Sequence, residues 1–181
     1  MKKIVHFVAI SRTLISKSYK TMVLKEVKRV APEKVVMDLS IAELPSYNFA
    51  LNEKTFPESV ETRCSTIKSA HALIVVTPEY NYSIPGALKN AIDFLCKHPT
   101  KPSDQKAARI VSASPGLLGG IGAQLHLRQI VVAANALSMN ITKVVRTHVN
   151  VQFDETGNLT DGKTRWFFKS FVEALASRSY L

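Results

Sequence analysis

Along this chain, unbroken apolar runs alternate with segments whose apolar residues recur every three or four positions. Ile4 to Ile10 is apolar nearly throughout, Ala72 to Thr77 and Ala107 to Ala113 are mainly apolar, Val35-Val36-Met37 is a shorter run of the same kind, and Ile141 to Val149, with valines at 144, 145 and 149, reads as a further strand. Continuous apolarity is what strands buried on both faces require. Between these runs the period changes. Ser16 or Ser18 caps a helix reaching about Val30, with Met22, Val23, Val27 and Val30 on its inner face. Pro57 suits the first turn of a helix running to about Ala70, and a third helix starts near Pro85 with Leu88, Ile92 and Leu95 inward. Gly119 to Met139 reads as a long helix behind a glycine-rich loop. The turn Asp154-Glu155-Thr156-Gly157 precedes a last helix over roughly Asp161 to Ser177. Ser40 to Phe56, with Pro45 and Asn48, reads as irregular.

Five apolar strands alternating with five helices predict an α/β fold with a parallel sheet covered on both faces. Right-handed crossovers narrow the topology to a flavodoxin-like three-layer sandwich, its five-stranded sheet in the order 2-1-3-4-5. No linker or repeat divides residues 1–181, so one domain is expected. In such sheets ligands bind beyond the carboxyl ends of the strands at the topological switch point. Here that selects three loops: Ser11 to Ser18, Pro78 to Pro85, and Ser112 to Gly122. All three are rich in hydroxyl, amide or glycine groups.

Composition narrows the class. With 46% apolar and 21% charged residues the chain is expected to fold as an ordinary globular protein, and no apolar run approaches a membrane span. The opening Met1-Lys2-Lys3 imitates a leader, yet the apolar segment behind it is short, contains His6 and lacks a small-residue cleavage site. Cys64 and Cys96 suggest neither a disulfide framework nor a metal site, and reduced thiols point to a cytoplasmic protein. The net charge of +10 is uneven, because residues 1–34 hold nine Lys/Arg against two Asp/Glu. Such an end suits phosphates on a nucleic acid, an anionic membrane or a cofactor. A solvated helix face bearing Lys17, Lys20, Lys25, Lys28 and Arg29 is the plainer account. No zinc-finger or aromatic RNA-binding signature is present, so neither nucleic acid nor membrane is expected among the partners.

The first loop leads into a helix amino-terminus, where free N–H groups and the helix dipole favour an anion. Ser11, Thr13, Ser16 and Ser18 add hydroxyls, and Arg12 and Lys17 add charge, so a phosphate fits; caps and turns alone would use the same serines. Neither a G-x-G-x-x-G fingerprint nor a P-loop occurs. The second loop, Pro78-Glu79-Tyr80-Asn81-Tyr82-Ser83, offers flat surfaces and an amide that both donates and accepts, as a planar heterocycle requires. The third, "SASPGLLGGIG", has Ser112, Ser114 and Gly116, with further glycines at 119, 120 and 122 that let a helix approach the sheet closely. No nucleophile–base set is identifiable, and Cys96 reads as packing.

"TPEYNYSIPGALKNAID" (Thr77 to Asp93) closely resembles the flavin-contacting motif of NADPH-dependent FMN reductases, especially the chromate and quinone reductase group. The resemblance continues through "GLLGGIGAQLHLRQI" (Gly116 to Ile130) and "FDETGNLTD" (Phe153 to Asp161). It implies noncovalent FMN, NADPH or NADH as co-substrate, and a homodimer or homotetramer. It also implies a small-molecule electron acceptor: a quinone, a free flavin, an azo dye or a metal oxyanion. Residues Pro78 to Ser83 would line the isoalloxazine and ribityl region, with Ser112, Ser114 and Gly116 near the ring. Glu79 is expected to brace the turn, because a carboxylate facing a ring that becomes anionic is unfavourable. The helix bearing His126 and Arg128 would lie at subunit contacts. The first loop departs from the family's Gly-Ser-x-Arg-x-x-Ser-x-Asn-like pattern by lacking its glycine, with Lys17 and Lys20 supplying charge instead. That departure motivates an alternative, a flavin-binding redox-sensing module without efficient turnover.

Overall fold

The structure is a computed structural model that describes residues 6–11, 19–31, 35–41, 44–49, 55–114, 116–139, 144–146 and 152–178. In chain order its elements are β1 (His6–Ser11), α1 (Tyr19–Arg29), β2 (Val35–Ser40), α2 (Glu58–Ser69), β3 (Ala72–Thr77) and α3 (Gly86–Lys97). They continue with β4 (Ala107–Ala113), α4 (Ile121–Ala133), β5 (Leu137–Ser138), β6 (Val144–Arg146) and α5 (Gly162–Arg178). All strand pairs are parallel, and β1 to β4 lie in the order β2-β1-β3-β4. In register, Phe7 sits between Val36 and Ala72, and Thr77 lies beside Ser112. The ends of β3 and β4 are therefore level, which brings their loops together.

The strands are apolar on both faces because both faces are covered. Val8, Ile10, Leu73, Val75, Ala108 and Ile110 pack with residues of α2, α3 and α4. Their sequence neighbours Phe7, Ala9, Ile74, Val76 and Val111 pack with α1 and α5 on the other side. No helix among the described residues is long and apolar enough to cross a membrane.

Several boundaries differ from the sequence expectation. Pro57 precedes α2 as an extended N-cap residue, with ψ near 142°, and does not occupy the first turn, whereas α3 starts beside Pro85 as expected, with Pro85 its N-cap at ψ 141°. The second strand reaches Ser40 rather than Met37, because Ser40 still finds a partner in Ser11 of β1. The largest correction concerns Gly119 to Met139. Glycines 119 and 120 form a turn, and α4 stops at Ala133, six residues early. Asn135 adopts a left-handed conformation (φ 49°), and the amides of Leu137 and Met139 then donate to Lys106 and Ala108 at 2.8 and 2.9 Å. Asparagine tolerates that conformation and serves as a helix stop in place of glycine. Of the fifth strand expected at Ile141 to Val149, Val144–Arg146 forms β6, and residues 141–143 and 147–149 lie outside the described residues. Among the described residues β4 is flanked by two short segments, β5 beside Ala107 and Ala108 and β6 beside Val111 to Ala113. The expected turn near Asp154 is present, with its carboxylate accepting from the amides of Thr156 and Asn158, each at 2.9 Å.

Candidate functional site

The carboxyl ends of β1, β3 and β4 carry the three loops singled out above. Ser11 is buried at the end of β1, where its carbonyl accepts from the Ile41 amide at 3.2 Å. Arg12, Thr13, Ser16, Lys17 and Ser18 lie outside the described residues. The site's geometry is therefore that of the β3 and β4 loops.

After Thr77 the chain makes a hairpin of minimal size. The Tyr80 amide donates to the Ser83 carbonyl at 2.9 Å and the Ser83 amide returns a bond to Tyr80 at 3.0 Å. The two residues between them both have positive φ, 50° at Asn81 and 60° at Tyr82. This is the mirror-image turn usually built from Asn-Gly. Asparagine suits the first position, whereas a tyrosine held left-handed costs about 1–2 kcal/mol. What the strained conformation achieves is display: Tyr80 is 53% and Tyr82 72% exposed, two flat rings beside one tight backbone turn.

The turn is held from behind by α4. The N-cap of that helix is Gly120, with φ 82° and no side chain to offer its free amides. Glu79 supplies the missing acceptor from another loop, its Oε2 taking the Ala123 amide at 2.9 Å. Ala123 is the third helical residue, where a capping side chain ordinarily bonds, and the carboxylate also meets the positive end of the helix dipole. Glu79 therefore braces the turn, as expected. The fit is close enough to require glycine. A Cβ on Gly122 would lie 2.9 Å from Glu79 Oε2, 3.0 Å from the Tyr82 carbonyl oxygen and 3.2 Å from Tyr82 Cδ1. One on Gly120 would lie 3.0 Å from Ser112 Cβ.

Two further contacts complete the arrangement. Ser83 Oγ lies 2.7 Å from His126 Nδ1, so this histidine joins the turn, a contact missed by reading α4 only as a subunit-contact helix. The signal was its spacing, four residues beyond Gly122 and hence on the same helix face. Ser112 is fully buried behind the turn, and its hydroxyl has no hydrogen-bond partner. The Gly116 amide donates to Ser114 Oγ at 3.1 Å. Arg128 reaches Ser138 Oγ at 2.8 Å and the Met139 carbonyl at 3.0 Å, which ties α4 to the sheet edge.

No group of three or more metal-ligating side chains occurs among the described residues. A cavity of about 430 Å³ opens elsewhere, lined by Arg109, Ser138, Met139, Ser177 and Arg178 among others, and no expected site residue lines it. Arg109 is stacked 4.9 Å from the Phe171 ring centroid, and burial, then the nearby Arg128, lower its guanidinium pKa. The Tyr80–Ser83 turn after β3 suits a planar ligand better. Its exposed rings, closely apposed backbone and partnerless buried hydroxyl fit the ring end of a flavin.

A parallel α/β sandwich with a polar, aromatic turn at the end of a sheet strand defines a flavodoxin-like protein. More narrowly, residues 3–150 match the NADPH-dependent FMN reductase family, and the chain belongs to that family. It is accordingly an oxidoreductase working with FMN and reduced nicotinamide. It is 38% identical over 167 residues to an NAD(P)H-dependent FMN reductase of Pseudomonas aeruginosa, covering 92% of this chain and 90% of that protein. It is also 38% identical over 151 residues to a quinone reductase of Escherichia coli K12, covering 81% and 80%. Among solved structures it resembles FerB, a flavoenzyme NAD(P)H:(acceptor) oxidoreductase from Paracoccus denitrificans, with TM-score 0.88, 27% identity and 98% of each chain covered. An FMN-dependent NADH-azoreductase from Bacillus anthracis, solved with FMN, shares the fold at TM-score 0.62 and 17% identity, over 97% of this chain and 99% of that one.

Proposed function

We propose that this chain passes reducing equivalents from NADPH or NADH, through noncovalently bound FMN, to a quinone. The carrying observation is the hairpin Tyr80–Ser83, strained at Tyr82 and clamped onto α4 through Glu79 and Gly122. A conformation that costs energy and exposes two aromatic rings is retained where a ligand uses it. FMN when bound supplies the redox chemistry, accepting two electrons from nicotinamide and releasing them to the acceptor. The protein's part is to hold one edge of the ring with Glu79-to-Tyr82 backbone and Asn81, and to keep Glu79's charge turned into the helix. The phosphate falls to Ser11, Arg12, Thr13, Ser16, Lys17 and Ser18. Ser112, Ser114 and Gly116 border the ring on the β4 side. The quinone follows from the E. coli relative's name and from a flat, partly aromatic surface that receives a flat acceptor.

The same reading takes residues 1–181 as one domain, and takes β5 and β6 as two halves of a fifth strand in the order 2-1-3-4-5. It includes self-association as a homodimer or homotetramer through the outer face of α4. There Leu125 and Val132 are 55% and 72% exposed, with Leu117 and Leu118 exposed in the turn before them. Leu127 and Val131, by contrast, are buried in the core, and Leu137 belongs to β5. Light scattering of Leu125→Glu, expected to shift toward monomer, tests that face. Visible absorption of the protein titrated with FMN, followed by NADPH oxidation with a soluble benzoquinone, tests the main reading. A colourless protein that FMN does not bind overturns it; a yellow protein without turnover leaves the redox-sensing module instead.

A further inference from the structure

The basic surplus of the amino-terminal segment is not used by the Tyr80–Ser83 turn, and part of it lies on α1. That helix packs beside α5 on the sheet face opposite α4. On α5 the residues directed inward are Thr164, Phe168, Phe171, Val172 and Leu175. The opposite side of the same helix centres on Trp166, which is 67% exposed. Lys163 and Lys169 stand three residues before and after it and are exposed, so helical spacing sets one lysine on either side of the indole. On α1, Lys25, Lys28 and Arg29 are also exposed. Glu26, which would offset them, is buried between the helices, held by Arg29 at 2.6 and 2.8 Å and by Arg165 at 3.3 Å. Two guanidinium groups on one carboxylate leave that cluster net positive. Glu173 is the one acidic side chain on the described outer face of α5.

We infer that the α1/α5 face is a peripheral docking surface for an anionic lipid bilayer. An indole with cationic neighbours is the side-chain set that settles at the headgroup level, with the ring among the acyl-chain ends and the ammonium groups among phosphates. The lysine stems allow the charges to reach outward while the indole enters. Like charge on the same face opposes a second copy there. A single-stranded nucleic acid is met by a cationic groove with several stacking rings, whereas here one exposed ring stands at the centre of an outward helix face. The contact needs no spanning helix. It is independent of the reading of the flavin site, although a bilayer is where apolar quinones concentrate.

Trp166 is the single tryptophan of the chain, so its fluorescence reports this face alone. The experiment mixes the full-length flavin-loaded protein with vesicles of phosphatidylcholine, or of phosphatidylcholine with about one-third phosphatidylserine, and measures co-sedimentation, emission wavelength and quenching by brominated acyl chains. Expected are binding that needs phosphatidylserine, a blue shift, quenching by bromolipid, and loss of all three at high salt. Each lysine near such a surface contributes about 1 kcal/mol, a factor of about five, so Lys163→Ala with Lys169→Ala lowers partitioning about 25-fold. Trp166→Ser lowers it on the order of tenfold while leaving reduction of a soluble quinone unchanged. Equal partitioning onto both vesicle types, or an emission spectrum indifferent to them, overturns the proposal. So does salt-sensitive retention of an oligonucleotide by protein that ignores the vesicles.

Discussion

Gly122 is the position at which adding one methyl group tests the whole site. In Gly122→Ala the new Cβ would stand 2.9 Å from Glu79 Oε2 and 3.0 Å from the Tyr82 carbonyl oxygen. The carboxylate end is flexible and can retreat, but only by leaving the Ala123 amide that it holds at 2.9 Å. The Tyr82 oxygen is backbone, so relieving that contact moves the turn itself. Overpacking costs about 1–3 kcal/mol, and a charge-assisted hydrogen bond carries about 1.5–3 kcal/mol of which part is lost here. Against this, alanine is favoured over glycine in a helix by about 0.8–1 kcal/mol. The balance is a loss of about 1–2 kcal/mol, or a Tm lower by about 2–8 °C in a chain of this size. Because the displaced turn is the proposed flavin support, FMN affinity falls about tenfold in the same variant. Urea denaturation followed by circular dichroism gives the first quantity and fluorescence titration with FMN the second. Gly86→Ala is the control, since a Cβ there meets nothing within 4 Å. It should be neutral or stabilising by about 0.4–1 kcal/mol. A Gly122→Ala protein as stable as the parent, with unaltered FMN affinity, refutes the clamp.

Three other outcomes follow from the same geometry. Tyr82→Gly relieves a left-handed tyrosine and raises stability by about 1 kcal/mol in thermal denaturation, yet weakens FMN because a 72% exposed ring is removed. A gain in both quantities would separate the strain from the ligand. Glu79→Ala removes the acceptor at the α4 amino-terminus and lowers stability by about 0.5–2 kcal/mol by urea denaturation, whereas Glu79→Gln retains an oxygen acceptor and loses less. Cys64 is buried on α2, and burial, then the nearby Glu61 charge, push its thiol up to about 12 from an ordinary value of 9.0. Between those values the unfolded chain releases the proton and the folded one retains it, so stability falls as pH rises from about 9 toward 12. Cys64→Ala flattens that alkaline slope in pH-dependent denaturation, and an unchanged slope counts against the buried thiol as its source.

The mainly apolar runs were sufficient to locate β3 and β4 to the residue, because strands buried on both faces are apolar over most of their length and end where polar loop residues begin. The motif Thr77 to Asp93 likewise carried the family, since its polar and aromatic residues have no use in an ordinary strand-to-helix connection. Where hydrogen-bond partners come from distant parts of the chain, the pattern was silent. Leu137 to Met139 continue the apolar character of α4, and only the open edge of β4 draws them out of the helix. Glu79 has no local partner, and its role exists because level ends of β3 and β4 bring it to an amide 44 residues away. His126 meets Ser83 for the same reason. Gly122 is one of several glycines in the sequence, and its necessity is a distance across two loops that composition does not contain. Local periodicity determines which segments are strands and helices, since that follows from each residue's own burial. Capping by a remote carboxylate, the end of α4 and the clamp on the Tyr80–Ser83 turn are decided by packing, which is a property of pairs of elements.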